Sequence, residues 1–195
     1  MLSDWQLLST TLQNYAPLST QDLEAAQPLW TESSIQKGDF FNSQGAVCRY
    51  LGFVLEGVFR IYYIDPISGE EVNVFFFRVG QLMVSFKSFT YQVSCQYFVE
   101  ALTDSKILKI SFNNLQQLYS NHHNWERFGR LFAEECFNIS QLRTESFLFQ
   151  TPEQRYIDFV KIYPNLFNQI PLYHIASYLG IKGPSLSRIR KRVKI

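Results

Sequence analysis

The chain is read from one stretch near its end, Ile170-Pro171-Leu172-Tyr173-His174-Ile175-Ala176-Ser177-Tyr178-Leu179-Gly180-Ile181-Lys182-Gly183-Pro184-Ser185-Leu186-Ser187-Arg188-Ile189-Arg190-Lys191-Arg192. Ile175, Ala176 and Leu179 fall on one face of a short helix. Gly180 follows the last apolar residue, where a helix end needs a left-handed residue that glycine adopts at little cost. Pro184 suits the first turn of a second helix, where a missing N–H costs nothing. Leu186, Ile189 and Val193 make that helix's inner stripe and leave Ser185, Arg188, Lys191 and Arg192 facing out. The pattern predicts a helix-turn-helix whose second helix has the size and charge to enter a major groove of double-stranded DNA.

Charge points the same way. Net charge over the chain is +1, but seven of the 18 cations and none of the 17 acids lie after Asp158. That leaves 11 cations against 17 acids, a net −6, in residues 1–158. A basic terminus on an acidic body is the footprint of a polyanion partner.

Composition bounds the rest. Hydrophobic residues at 46% and aromatic residues at 16% suffice for packed cores, and 18% charged residues argue against disorder. Cys48, Cys95 and Cys136 are far apart, with no CxxC spacing. Neither a zinc site nor an iron–sulfur cluster is signalled, and free thiols in a reducing cytosol are expected. Met1–Gln6 has an early acid and no basic stretch, and no run reaches the ~20 apolar residues of a membrane helix. A cytoplasmic protein with no membrane partner is expected.

In chain order, Trp5, Leu8, Leu12 and Tyr15 recur at helical spacing, and a second short helix, capped by Ser19 or Thr20, ends at Pro28. From about residue 33 to 110 the pattern is of short strands. They include Tyr50–Leu55, Val58–Ile64, Val72–Phe77, Tyr97–Leu102 and Lys106–Ile110, with a hairpin turn at Asp65–Glu70. Such strands with Gly turns indicate a sandwich or barrel. A short helix follows at Phe112–Tyr119, with Ser111 at its N-cap. A long helix is expected over Asn124–Phe149, with Phe128, Phe132, Ile139 and Leu142 as the seam of a homodimer. Thr151-Pro152-Glu153 starts another helix, running to Tyr163-Pro164.

Taken in order, Lys37-Gly38-Asp39, Gln44-Gly45, Phe53–Gly57, Ser68-Gly69-Glu70, Glu100–Ser105, Leu179-Gly180-Ile181 and Leu186–Ile189 resemble the bacterial family of the cyclic-AMP receptor protein and the fumarate–nitrate reduction regulator (Crp/Fnr). The resemblance implies an α+β fold. It comprises an N-terminal antiparallel β-roll of the cyclic-nucleotide-binding, jelly-roll type over 1–123, a dimerisation helix over 124–150 and a helix-turn-helix domain over 151–195. It implies a homodimeric, sequence-specific transcription regulator, with DNA, RNA polymerase and a small-molecule effector as partners. No enzymatic activity, metal or cofactor is expected: from Phe53 to Ile110 there is no His to build a metal centre.

The departures matter as much. Family members that bind cyclic AMP follow the cassette Gly with Glu and carry an Arg further on; both supply donors or acceptors to one cyclic nucleotide. Here Gln81 follows Gly80, the later segment Val93-Ser94-Cys95-Gln96-Tyr97 has no Arg, and Lys87 is the one cation between Arg78 and Lys106. Gly80, Gln81, Lys87, Ser94 and Gln96 are therefore effector-pocket candidates, with cyclic AMP not expected and the effector unidentified. Three scattered Cys cannot hold a four-thiolate cluster, and His122, His123 and His174 lie outside the roll. In the reading helix the acidic base reader is missing, while Arg188 keeps the place of a guanine-reading Arg. Ser185 and Ser187 are expected at phosphates or bases, and Tyr173, His174, Lys182, Lys191 and Arg192 at phosphates. The rival reading, a regulatory or scaffold module without specific DNA binding, rests on Gly183 and Pro184 at the reading position.

Overall fold

The computed structural model describes residues 3–193; Lys194, counted in the basic run, lies outside them. Two helices open the chain, α1 (Asp4–Tyr15) and α2 (Thr20–Ala26). Ser3 and Ser19 cap them, each accepting from the N3 amide while the N3 side chain answers the cap N–H. After a single 3-10 turn at Gln27–Leu29 come β1 (Trp30–Ile35), β2 (Phe40–Asn42), β3 (Tyr50–Glu56), β4 (Val58–Ile64), β5 (Glu71–Arg78) and β6 (Leu82–Met83). A short helix α3 (Phe86–Tyr91) precedes β7 (Phe98–Ala101) and β8 (Ser105–Ser111). The strands form two antiparallel four-stranded sheets, ordered β1-β8-β3-β6 and β2-β7-β4-β5. Two points differ from the sequence reading: the first strand begins at Trp30, ahead of the strand region expected from about residue 33, and the helix α3 stands within that region.

The β4–β5 hairpin closes where expected. The Asp65 carboxylate accepts from the Ile67 and Ser68 amides, which holds it below the usual carboxylate range. Phe59, Val54, Met83, Val99 and Ile107 fill the space between the sheets. Each buried side chain of this size contributes roughly 1.5–3 kcal/mol.

Five helices follow among the described residues: α4 (Phe112–Asn121), α5 (His123–Phe149), α6 (Pro152–Ile162) and, after a 3-10 turn at Leu166–Asn168, α7 (Leu172–Leu179), followed by α8 (Gly183–Arg192). Ser111 and Thr151 cap α4 and α6. Among the described residues no strand lies between α6 and α7. No helix among the described residues is long and apolar enough to cross a membrane.

The seam expected on α5 is corrected in part. Phe128 and Phe132 are buried against Tyr15 of α1 at 5.7 Å, edge to face. They belong to the same core as Leu8, Leu12 and Trp125, so they are not free for a second copy. Ile139 is half-buried, and only Leu142 of the four is exposed, at 56%. The exposed apolar side chains of α5 lie in its second half: Phe137, Leu142, Phe147, Leu148 and Phe149. A stripe at seven-residue spacing does not say which neighbour it faces, and here the chain's own roll takes its first half.

Candidate nucleic-acid interface and effector pocket

Helices α7 and α8 form the helix-turn-helix. Gly180 stands at φ +67°, and the Ile181 amide donates to Ala176 while the Gly180 amide donates to Ser177, closing the helix end. The Gly180 turn is also tight in space, since a Cβ there would lie 2.6 Å from Cε1 of Phe147 on α5. Leu186 and Ile189 are buried and fix the rotation of α8. That rotation leaves Pro184, Ser187, Arg188 and Lys191, spaced i, i+3, i+4, i+7, on one exposed face. Ser185 is half-buried at its edge. Arg192 pairs with Glu153 at 2.8 Å and Lys182 with Glu70 at 3.0 Å, while Arg190 lies over the Phe167 ring. Among the described residues Arg188 and Lys191 have no ion-pair partner.

Of the residues expected on phosphate, Tyr173 is exposed at 64%, but His174 is buried at 4%. His174 is corrected to an internal contact. Arg60 Nη1 meets its Nδ1 at 3.0 Å. A guanidinium only donates, so Nδ1 accepts and the proton sits on Nε2 of a neutral ring. Burial, reinforced by the Arg60 charge and opposed by Glu71, pushes the His174 pKa down to about 4. Arg60 is itself buried in β4, paired with Glu71 at 2.6 Å and with Glu100 at 2.5 and 2.9 Å, and it stacks on Tyr62. Asn73 donates to the His174 carbonyl, its own amide donates to the Ser177 hydroxyl, and that hydroxyl donates to the Glu71 carbonyl. Below them Phe76 packs on Phe159, Tyr163 and Tyr178. The first helix of the motif is thus docked on β5 by a hydrogen-bonded layer over an aromatic one.

A second set of contacts holds α7 from the side of the long helix. Its last carbonyls are taken by two cations, Tyr178 by Arg143 and Leu179 by Arg155 at 3.0 Å, an arrangement favoured at a helix C-terminus. Arg143 also stacks on Tyr178 and on Phe147. Desolvation holds its pKa below the ordinary Arg value.

All five effector-pocket candidates line one chamber of about 430 Å³ between the roll, α3 and α5. Gln81 lines the chamber with its Oε1 already engaged, accepting from the Arg78 amide in the Gly80 turn. Lys87, Ser94 and Gln96 are exposed. The deeper polar groups are already bonded to the protein. Ser88 accepts from the Cys48 amide and donates to the Val93 carbonyl, and the Ser85 hydroxyl lies 2.7 Å from Cys95 Sγ. The remaining wall is mostly apolar, from Ile61, Val74, Phe75, Phe77 and Val84 of the roll to Phe132 and Ile139 of α5. Cys136 also lines it, but burial and Glu135 push its thiol up to about 12, so it is protonated at neutral pH. Among the described residues no group of three or more His, Cys, Asp or Glu is placed to hold a metal.

Sequence reasoning missed Arg60, Asn73, Ser177, Arg143 and Arg155. Arg60 carried a signal, as a cation inside the otherwise apolar strand run Val58–Ile64. The others look like ordinary surface residues until the helices are packed.

Residues 32–122 match the family model of the cyclic nucleotide-binding domain. No curated protein matches the chain by sequence. Among solved structures, FixK2 from Bradyrhizobium japonicum superposes with a TM-score of 0.73 at 17% identity, over 84% of this chain and 83% of that one. The catabolite activator protein of Thermus thermophilus gives 0.60 at 16% identity, over 93% and 85%. The c-di-GMP responsive global regulator CLP of Xanthomonas campestris gives 0.64 at 13% identity, over 89% and 91%. At these identities the likeness establishes the fold.

Proposed function

We propose that this chain, which carries a cyclic nucleotide-binding domain and has the fold of the Crp/Fnr regulators, works as a homodimeric, sequence-specific DNA-binding transcription regulator. The observation that carries the reading is the outward face of α8, where Ser187, Arg188 and Lys191 stand exposed together and the two cations have no ion-pair partner among the described residues. Arg188 reads a guanine edge, and Lys191 neutralises phosphate. Leu142 and Phe149, two helical turns apart and exposed, supply the apolar seam for a second copy of α5. A two-fold dimer then presents its reading helices about 34 Å apart, so the operator is an imperfect palindrome.

The roll is the effector domain, and it does not take cyclic AMP. The Glu after the cassette Gly and the later Arg that hold a cyclic nucleotide have no counterpart in Gly80-Gln81 and Val93–Tyr97, and Gln81, Ser85 and Ser88 are already bonded within the protein. Control is a population shift. In the docked arrangement Lys182 is held by Glu70 and α7 by β5, and the DNA-binding arrangement re-aims α8.

The test is a gel-shift titration on a site selected from random DNA and on a scrambled control. Arg188→Ala costs about 1–3 kcal/mol on the selected site only, and Lys191→Ala weakens both DNAs alike and flattens the salt slope. The second reading, a module without specific DNA binding, draws on the pairing of Lys182 and Arg192 with acids. It is established instead if selected and scrambled DNA bind equally.

A further inference from the structure

Arg143 is a half-buried cation that no carboxylate neutralises among the described residues, and it stands in the wall of the apolar chamber. Its Nη2 donates to the Tyr178 carbonyl, and a guanidinium has five N–H donors, so donors remain for a further acceptor. A half-buried guanidinium with no carboxylate beside it favours an anion as its partner. The charges around the chamber are few. Lys87 and Arg143 are its cations and Glu135 its carboxylate, so the wall carries a net +1.

We propose that the chamber takes an amphipathic monoanion, an apolar body bearing one carboxylate, with the carboxylate on Arg143. This deepens, and rests on, the reading of the roll as the effector domain. Ile61, Val74, Phe75, Phe77 and Phe132 enclose the apolar body. A volume of about 430 Å³ lies within the usual range for small-molecule pockets. A planar guanidinium grips a carboxylate through two parallel hydrogen bonds, which a neutral hydroxyl cannot match. Glu135 disfavours a second negative charge on the ligand.

The same side chain links the chamber to the helix-turn-helix. A carboxylate is a stronger acceptor than the Tyr178 carbonyl. As the guanidinium turns to the ligand, it releases the C-terminal carbonyl of α7 and uncovers the Tyr178 and Phe147 rings on which it stacks. Occupancy therefore loosens one of the two holds on α7 while leaving the layer on β5 intact.

The probes are 1-pyrenebutyrate and its neutral analogue 1-pyrenebutanol, titrated by pyrene fluorescence on the full chain. Wild type binds the carboxylate at least about tenfold more tightly than the alcohol. Arg143→Met binds the two equally and keeps the wild-type affinity for the alcohol, which also shows that it is folded. Arg143→Lys retains part of the preference. Ile139→Trp fills the chamber and weakens both probes, which covers the case in which Arg143→Met does not fold. Hydrogen exchange of the 172–181 amides speeds up with pyrenebutyrate and not with pyrenebutanol. The proposal is overturned if wild type does not distinguish the probes, if Arg143→Met or Ile139→Trp behaves as wild type, or if calorimetry shows micromolar cyclic AMP binding. These readouts involve no DNA, so their failure is separate from that of the regulator reading, which the gel shifts decide.

Discussion

Neutralising the pH response of His174 tests the docking of the helix-turn-helix on the roll. The ring is 4% exposed, and its pKa is pushed from 6.5 down to about 4 by burial and by Arg60. The groups facing it are Arg60, Asn73 and Glu71, with Glu100 behind Arg60. Because the docked pKa is depressed, the docked state prefers the neutral ring. Above about pH 6.5 both docked and released states hold it neutral, and there is no penalty. As pH falls from 6.5 toward 4 the released state binds a proton that the docked state refuses, and stability is lost. The full shift is about 3 kcal/mol at about 1.4 kcal/mol per pKa unit, of which about 2 kcal/mol is lost by pH ~5. His174→Gln keeps an acceptor for Arg60 and has no titration. Urea unfolding at about pH 7.5 and pH 5, followed by circular dichroism, should show wild type losing about 2 kcal/mol more than the variant. Every carboxylate titrates in both proteins and cancels in the difference. Equal losses would refute both the neutral, internal assignment of His174 and the docked arrangement it supports.

Three further outcomes follow from the same contacts. Gly180→Ala should destabilise by about 1–2 kcal/mol from the left-handed backbone alone, with an added cost from Phe147 that Phe147→Ala removes in a double-mutant cycle read by urea unfolding. Leu142→Glu with Phe149→Glu, at exposed positions of α5, should convert a dimer to a folded monomer in sedimentation; an unchanged dimer would place the seam elsewhere. Raising salt from about 50 to 200 mM should weaken DNA binding roughly 10³–10⁵-fold for a dimer touching on the order of 6–10 phosphates, and Lys191→Ala should reduce that slope in gel-shift titrations.

Much of this protein is legible in its residues because the physics there is local. Helix caps at Ser19, Ser111 and Thr151, the Asp65–Glu70 turn, the left-handed Gly180 and the buried pair Leu186 and Ile189 each depend on neighbours a few residues away. Short runs of aromatic and β-branched residues between glycine turns marked the strands, and the one-sided charge of the last residues marked the reading helix. The Gly80 cassette with its missing Glu and Arg already argued against a cyclic phosphate, and the five candidates drawn from it line one chamber.

What only the tertiary structure decided concerns partners far apart in the chain. Apolar periodicity on α5 announces a buried face without naming what buries it, so Phe128 and Phe132 were assigned to a second copy when Tyr15 of α1 takes them. His174 looks like a basic surface residue because its partners, Arg60 and Asn73, lie 114 and 101 positions earlier. Arg143 gains its meaning from Tyr178, 35 residues on, and from chamber walls drawn from the roll. Burial, and with it the protonation of His174 and the unpaired charge of Arg143, is a property of packed elements, and a one-dimensional pattern of residue types does not contain it.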